Sequence, residues 1–345
     1  MTAAMVRGAR WHLCLLLLGL GLVGVLIYAA GPADVFRALR LLGWLTPFVA
    51  LPYLTSYILD TIGWWWVLTR GFAGPAHSGV AMPSLLQLFA VRAAGEAINA
   101  ITPTAYFGGE PVKAWLLHRR GVPLASGAAS VLVSKTALML TQGLFVLLGL
   151  LIALRRWHTA IPLWAAASIG VLLACLTGAV LIGLQRNGLF SVLLNLSRRV
   201  SGREALLAEW EADVAALDGL LRGYYTARVG DFLACCVLHF LGWVAGCFEV
   251  LLALRLLGVP LDFPTAFSIE SLSGVAKLAA VIVPGSLGIQ EGGQVLIFVA
   301  FSLSASLAMT FSLLRRGREM LWIGFGLSVL VHLQAMRWIR ERKKS

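Results

Sequence analysis

Of 345 residues, 59% are hydrophobic and 13% are charged, whereas a soluble globular protein is about 45–50% apolar and about 25% charged. With a mean hydropathy of +0.85, this composition excludes an ordinary soluble fold and points to an all-α polytopic membrane protein. The formal net charge of +12, from 28 Lys and Arg against 16 Asp and Glu, is then first a topology signal, because basic residues collect in cytoplasmic loops. No nucleic-acid partner is expected.

A helix crosses a bilayer core with about 20 apolar residues. The first such run, Leu13 to Ala30, follows Arg7 and Arg10 and reads as an uncleaved signal-anchor. The small residues Ala29, Ala30 and Gly31 leave a cleaved signal peptide as the alternative. A second span runs from Trp44 to Leu68, with Trp64, Trp65 and Trp66 as an interfacial aromatic belt. The next apolar stretch, Ser84 to His118, is cut near its middle by Pro and Gly and carries ionisable residues. Spans follow at Leu124 to Leu154 and Ile161 to Leu184.

Arg186 to Arg228 is the long stretch that is not apolar. Leu206, Leu207, Trp210, Val214, Leu217 and Leu221 recur three and four apart, while Glu204, Glu209, Glu211, Asp213 and Asp218 take other faces. Ser201-Gly202-Arg203-Glu204 has the form of a capping box at its start. It is expected to be an amphipathic helix on the cytoplasmic surface or packed on the bundle, most simply as a connector.

Phe232 to Leu257 is a further span, Thr265 to Phe301 a second interrupted stretch, and Leu303 to Ile339 a long final span. Arg315-Arg316-Gly317-Arg318-Glu319 could be a loop between two short spans, but that would leave Arg337 to Lys344 outside, against the charge bias. One long helix with buried charges is expected instead. The count is six spanning helices plus two Pro/Gly-broken re-entrant hairpins, about eight apolar segments.

The two interrupted stretches match at an offset of 181 residues, which pairs Pro103 with Pro284, Glu110 with Glu291, Lys135 with Arg316 and Met139 with Met320. The chain therefore divides into halves, 1–155 with hairpin 84–118 and 156–345 with hairpin 265–301 and the insert 186–228. With both termini cytoplasmic, 16 basic residues fall in cytoplasmic segments and five, Arg37, Arg40, Arg155, Arg156 and Arg255, outside. Halves of opposite orientation make an inverted-topology repeat, as found in transporters.

Cys14, Cys175, Cys235, Cys236 and Cys247 lie in apolar runs and read as small buried hydrophobes; the six histidines are scattered singly. No metal or other cofactor is expected, and no catalytic motif stands out. Irregular backbone at membrane depth is tolerated only where protein or a watery cavity surrounds it. The breaks at Pro103, Gly108 and Gly109 and at Pro284, Gly285 and Gly288 are therefore candidate sites. Each leads into an outgoing half-helix whose N-terminus favours an anion, with Pro111 suited to the first turn.

Around the first break lie Arg92, Glu96, Asn99, Glu110 and Lys113, and around the second Glu270, Lys277, Gln290 and Glu291. Lys135, Glu249, Arg315, Arg316, Arg318 and Glu319 come from neighbouring helices. One charge at a helix centre costs about 2.5–3.5 kcal/mol on insertion scales, so these residues must pair or face water. Arg92 with Glu96, and Glu110 with Lys113, share helix faces. Buried ion pairs holding the hairpins together and a solute pathway both fit any single pair; the symmetric set favours a pathway.

Three segments carry a family resemblance: Val91-Arg92-Ala93-Ala94-Gly95-Glu96-Ala97-Ile98-Asn99, Gly108-Gly109-Glu110-Pro111-Val112-Lys113-Ala114 and Val283-Pro284-Gly285-Ser286-Leu287-Gly288-Ile289-Gln290-Glu291-Gly292-Gly293. They resemble the flippase-like family that includes the transmembrane region of lysylphosphatidylglycerol synthase. With His239 to Glu249 and Ile269-Glu270-Ser271-Leu272, the likeness is greatest to its hopanoid-biosynthesis-associated branch. Lys135 departs from the Arg or acidic residue expected in its helix.

The resemblance implies a flippase of the bacterial inner membrane, moving a lipid or lipid-linked head group between leaflets, with lipid-biosynthesis enzymes as possible partners. Under that expectation Arg92, Lys113, Lys277 and Arg316 hold the head group, while Glu96, Glu110, Glu270 and Glu291 organise those cations or carry protons. A membrane-embedded transferase acting on a lipid carrier and a non-transporting scaffold are the alternatives.

Overall fold

The computed structural model describes residues 46–49, 51–72, 82–102, 107–157, 176–201, 210–279 and 288–342, with single positions and pairs between 28 and 43. Outside the described residues lie nearly all of the expected first span, most of the span from Ile161, and Pro103, Pro284 and Gly285. Every regular element described is a helix.

Helix α1 (Leu51–Gly71) is followed by α2 (Leu85–Ile101), α3 (Gly109–His118) and α4 (Leu124–Trp157). After α5 (Leu176–Arg186), α6 (Leu189–Ser201) and α7 (Glu211–Ala227), the order of helix types recurs. Helices α8 (Val229–Leu256), α9 (Phe263–Ala279), α10 (Ile289–Ala300) and α11 (Ala305–Arg342) complete the chain.

Local chemistry sets the ends of the half-helices. Ser84 caps α2: its hydroxyl accepts from Gln87 N–H at 3.3 Å and the Gln87 amide oxygen accepts from Ser84 N–H at 3.0 Å, so two otherwise orphaned donors are satisfied. α2 stops at Ile101, two residues before Pro103, and residues preceding a proline are biased away from helix. Glu110 and Pro111 occupy the first turn of α3, where a carboxylate favours the dipole and a missing N–H costs nothing. Gly288 precedes α10 with φ of 80°, a left-handed conformation that glycine adopts without steric cost.

By length and composition, Leu124–Arg156 and Val229–Leu256 are long and apolar enough to cross a membrane, and Leu176–Arg186 with Leu189–Arg199, bent by 72°, make a third if the pair is one broken span. α2 packs on α11 and α9 on α4, each on the long helix of the other group, while α1 lies along α8. Trp64, Leu68, Leu88, Leu117, Val133 and Cys235 form one buried apolar cluster, and Val250, Leu254, Ile269, Phe298 and Phe311 a second. Leu233, Val237, Leu241 and Phe248 stay exposed along α8, a stripe suited to lipid contact.

Four local expectations are corrected or settled. Trp64 is not part of an interfacial belt: it is buried, with its indole N–H donating to Ser130 Oγ at 3.2 Å. Trp66 donates to Asp231 at 3.0 Å. Ser201 is the last residue of α6, the rest of the expected capping box, Gly202 to Glu204, lies outside the described residues, and α7 runs from Glu211. Asp218 belongs to no outer polar face; it is buried and accepts from the N–H groups of Phe190 and Ser191, capping the start of α6. Arg315 to Glu319 lie within the continuous helix α11, not in a loop.

The α2–α11 contact depends on Gly326, where an added Cβ would stand 2.2 Å from the Ala93 carbonyl oxygen. Gly326→Ala is expected to push the helices apart and destabilise by about 1–3 kcal/mol, lowering the unfolding temperature of the detergent-solubilised protein. Gly324→Ala, with nothing within 4 Å of the added methyl, should not.

Candidate functional site

The N-terminus of α3 organises the first group of buried charges. Gly109 lies so close to α2 that a Cβ there would stand 2.0 Å from the Gly95 carbonyl oxygen. Its N–H donates to Asn99 Oδ1 at 2.6 Å, and Asn99 Nδ2 donates to Glu96 at 3.3 Å and Glu110 at 3.2 Å. Lys113 Nζ sits between the same carboxylates, 2.6 Å from Glu96 and 3.0 Å from Glu110, and Lys135 of α4 reaches Glu110 at 3.1 Å. Arg92 does not pair with Glu96, despite their four-residue spacing; it donates to Asp60 of α1 at 2.7 Å and lies over the Tyr57 ring.

The second group repeats the key element. Glu291 accepts from Gly288 N–H at 2.6 Å and pairs with Arg316 of α11 at 2.5 Å. Arg316 also reaches Glu319 at 3.0 Å, and Lys277 of α9 reaches Glu319 at 3.3 Å. Arg315 pairs with Glu270 of α9, and Arg318 with Glu249 of α8. The pairs Glu110–Lys135 and Glu291–Arg316 join residues matched at the offset of 181: each ties a carboxylate at the start of an outgoing half-helix to a cation in the helix that follows. Lys135, although a departure from the expected residue type, occupies the place that Arg316 holds in the other group.

Charge balances within each group. Asp60, Glu96 and Glu110 face Arg92, Lys113 and Lys135, and Glu249, Glu270, Glu291 and Glu319 face Lys277, Arg315, Arg316 and Arg318. Neutralisation permits this number of ions among apolar helices, because an unpartnered buried charge costs several kcal/mol.

A cavity of about 120 Å³ opens between α1, α2, α9, α10 and α11. Glu96 comes to its wall from α2, Lys277 from α9, Gln290 from α10, and Arg316 and Glu319 from α11. Tyr53, Tyr57 and Trp322 supply an aromatic side, with Tyr57 and Trp322 stacked at 4.7 Å. Among the described residues, Gln290 Oε1 and the Tyr57 hydroxyl have no hydrogen-bond partner, and both atoms are buried. A second cavity of about 20 Å³ is walled by Arg92, Glu96, Glu110, Lys113, Ser134 and Lys135. Glu96 borders both.

Of the residues expected from sequence, Glu96, Lys277, Gln290, Arg316 and Glu319 meet at the larger cavity. Glu249, Glu270, Arg315 and Arg318 form deep pairs away from it. Gly108, Gly109 and Gly288 lie at the half-helix starts. Asp60, His239, Tyr53, Tyr57 and Trp322 were not expected at the site. Asp60 and His239 carried a usable signal, each being an ionisable residue inside a predicted span; the aromatics carried none, because tyrosine and tryptophan are ordinary membrane residues.

Residues 5–328 match the family described as the lysylphosphatidylglycerol synthase TM region. The chain belongs to that family. A UPF0104 membrane protein of Methanothermobacter thermautotrophicus is 26% identical over 328 residues, which cover 90% of each chain. No solved structure matches. Membership makes this a membrane protein and implies a lipid-related role, in keeping with its apolar helices.

The deep pairs should behave as structural elements. Glu270→Gln leaves Arg315, 7% exposed, without its carboxylate and is expected to destabilise by about 3–5 kcal/mol. The double variant Glu270→Gln/Arg315→Met should recover most of that loss, as read from a double-mutant cycle of unfolding midpoints in detergent.

Proposed function

We propose that this protein moves a lipid or lipid-linked head group between the leaflets of its membrane. The observation that carries the proposal is the cavity joining Glu96 of α2 to Lys277, Gln290, Arg316 and Glu319 of the other half. At about 120 Å³ it holds part of a head group, with the acyl chains left in lipid. Lys277 and Arg316 share Glu319, so an anionic group entering the cavity exchanges with one carboxylate instead of facing bare charges.

The reading extends to an inverted repeat working by alternating access. Support comes from the matched pairs Glu110–Lys135 and Glu291–Arg316 and from the reciprocal packing of α2 on α11 and α9 on α4. Solute sites at an interface of repeats, beside helix breaks, are the usual arrangement in such transporters. The resemblance at Arg92 to Asn99 and Val283 to Gly293 adds a bacterial inner membrane and a hopanoid-related lipid to the proposal, and the distribution of basic residues adds cytoplasmic termini. A scaffold for lipid-synthesis enzymes is the second reading, favoured by the balanced charges of both groups.

The test is flipping of a fluorescent phospholipid in proteoliposomes, read by quenching from one side. Lys277→Gln/Glu319→Gln removes one charge of each sign from the cavity and is expected to slow flipping by about tenfold or more, the equivalent of one charge-assisted hydrogen bond. Wild-type rates in a variant with normal thermal stability would discard the transport reading and leave the scaffold.

A further inference from the structure

A buried histidine beside the first group takes no part in its charge balance. His239, near the middle of α8, has no exposed surface. Its Nδ1 lies 2.6 Å from Asp60 Oδ1 and its Nε2 3.1 Å from Ser134 Oγ of α4. The other Asp60 oxygen holds Arg92. Ser134 in turn stands on the wall of the smaller cavity with Glu96, Glu110 and Lys135. At about 20 Å³ that cavity has room for one water, which needs roughly 10–15 Å³ by this measure and several polar partners. Asp60, His239, Ser134, this cavity, Glu96 and the larger cavity thus form one polar path among Trp64, Val131 and Leu138.

We propose that His239 is a proton-binding site connected through Ser134 to the head-group cavity, so that proton uptake and binding of an anionic head group favour one another. The link to transport rests on the function proposed above; the proton site itself does not.

In the neutral state His239 Nδ1–H donates to Asp60, and Nε2 accepts the Ser134 hydroxyl. A proton arrives when Ser134 passes its hydroxyl hydrogen to Nε2 and takes one from a protonated water (H3O+) in the small cavity, which is left as neutral water, so the serine is unchanged and the imidazole gains one charge. Asp60 then faces two cations, the imidazolium and Arg92. The extra positive charge is offset by Glu96, one turn along α2 from Arg92 and bordering both cavities, or by a head group in the larger cavity.

Other groups around the ring take no part in that balance. The Cys235 thiol shares the space beside Gly63 with the imidazole, and Glu270 of α9 faces Gly246, two turns along α8. Asp231, two turns the other way, is held by Trp66 and Arg228. Asp, His and Ser in this order also describe an activated nucleophile, but a water-sized cavity at Ser134 admits a proton carrier and not an ester.

The experiment is ¹⁵N-histidine NMR of the full chain in lipid nanodiscs across about pH 5 to 8, the range over which imidazole ordinarily changes charge. The His239 signals are identified by their loss in His239→Gln or, should that variant not fold, by their displacement in Ser134→Ala. The expected result is an Nδ1–H tautomer at high pH that gains its second ring proton as pH falls, with a midpoint moved to lower pH in Glu96→Gln. A single unchanging tautomer would overturn the proposal, as would a midpoint indifferent to Glu96 or fluorophosphonate labelling that disappears in Ser134→Ala. The readout needs no flipping activity: titration without flipping sinks only the transport reading, and flipping without titration sinks only the proton site.

Discussion

A charge can stay among apolar helices only if another charge meets it, and this one constraint shapes the centre of the molecule. Glu110 and Glu291 show how the requirement is met. Each lies in the first turn of a half-helix, where free N–H groups and the helix dipole already favour an anion, and each is then closed off by a cation from the following long helix. The surrounding residues serve that arrangement. Gly95 and Gly109 let α2 and α3 approach until Asn99 reaches the first N–H, and Gly288 turns its own N–H onto Glu291.

Balanced charge does not by itself make the core static, because the pairs differ in how they are shared. Arg315 with Glu270 and Arg318 with Glu249 are one-to-one contacts with little exposure, and opening them strands an ion in an apolar surrounding. Glu319 is divided between Lys277 and Arg316, and the Lys277 side chain is 43% exposed. Asp60 is likewise divided between Arg92 and His239. A carboxylate with two partners can release one and keep the other, so the shared ions are the ones suited to exchange. They are also the ones beside the cavities and the polar chain to His239.

How far this was legible from sequence varies with the scale of the interaction. Long apolar runs and the Pro- and Gly-containing breaks mark the helices and the gap between α2 and α3 directly, because chain-local hydropathy and backbone sterics decide them. The offset of 181 located Lys135 and Arg316 as well, since a repeated pattern carries partner information that a single pattern lacks. Partner choice between helices was less accessible. Arg92 and Glu96 are neighbours by spacing, yet each side chain turns to a different helix, one to Asp60 and the other to Lys113. Trp64 and Asp218 misled for the same reason: residue type suggested a surface, and interhelical packing buried both with specific hydrogen bonds.

The departure of Lys135 from the pattern separates the roles of the two breaks. Lysine carries a compact charge with no fixed fork, and it shares Glu110 with Lys113 inside a closed set of contacts at the small cavity. Arginine presents several donors in a rigid plane, and Arg316 uses them to bridge Glu291 at the start of α10 to Glu319 at the large cavity. Of these two cations, Arg316 lines the larger cavity and Lys135 the smaller. In the proposed cycle the α9–α10 side therefore senses the head group through Arg316. The α2–α3 side, through Glu96, Arg92 and Asp60, senses the proton on His239. Under the proposed function, the unequal pair of cations at matched positions is what lets the two groups answer to two different ligands.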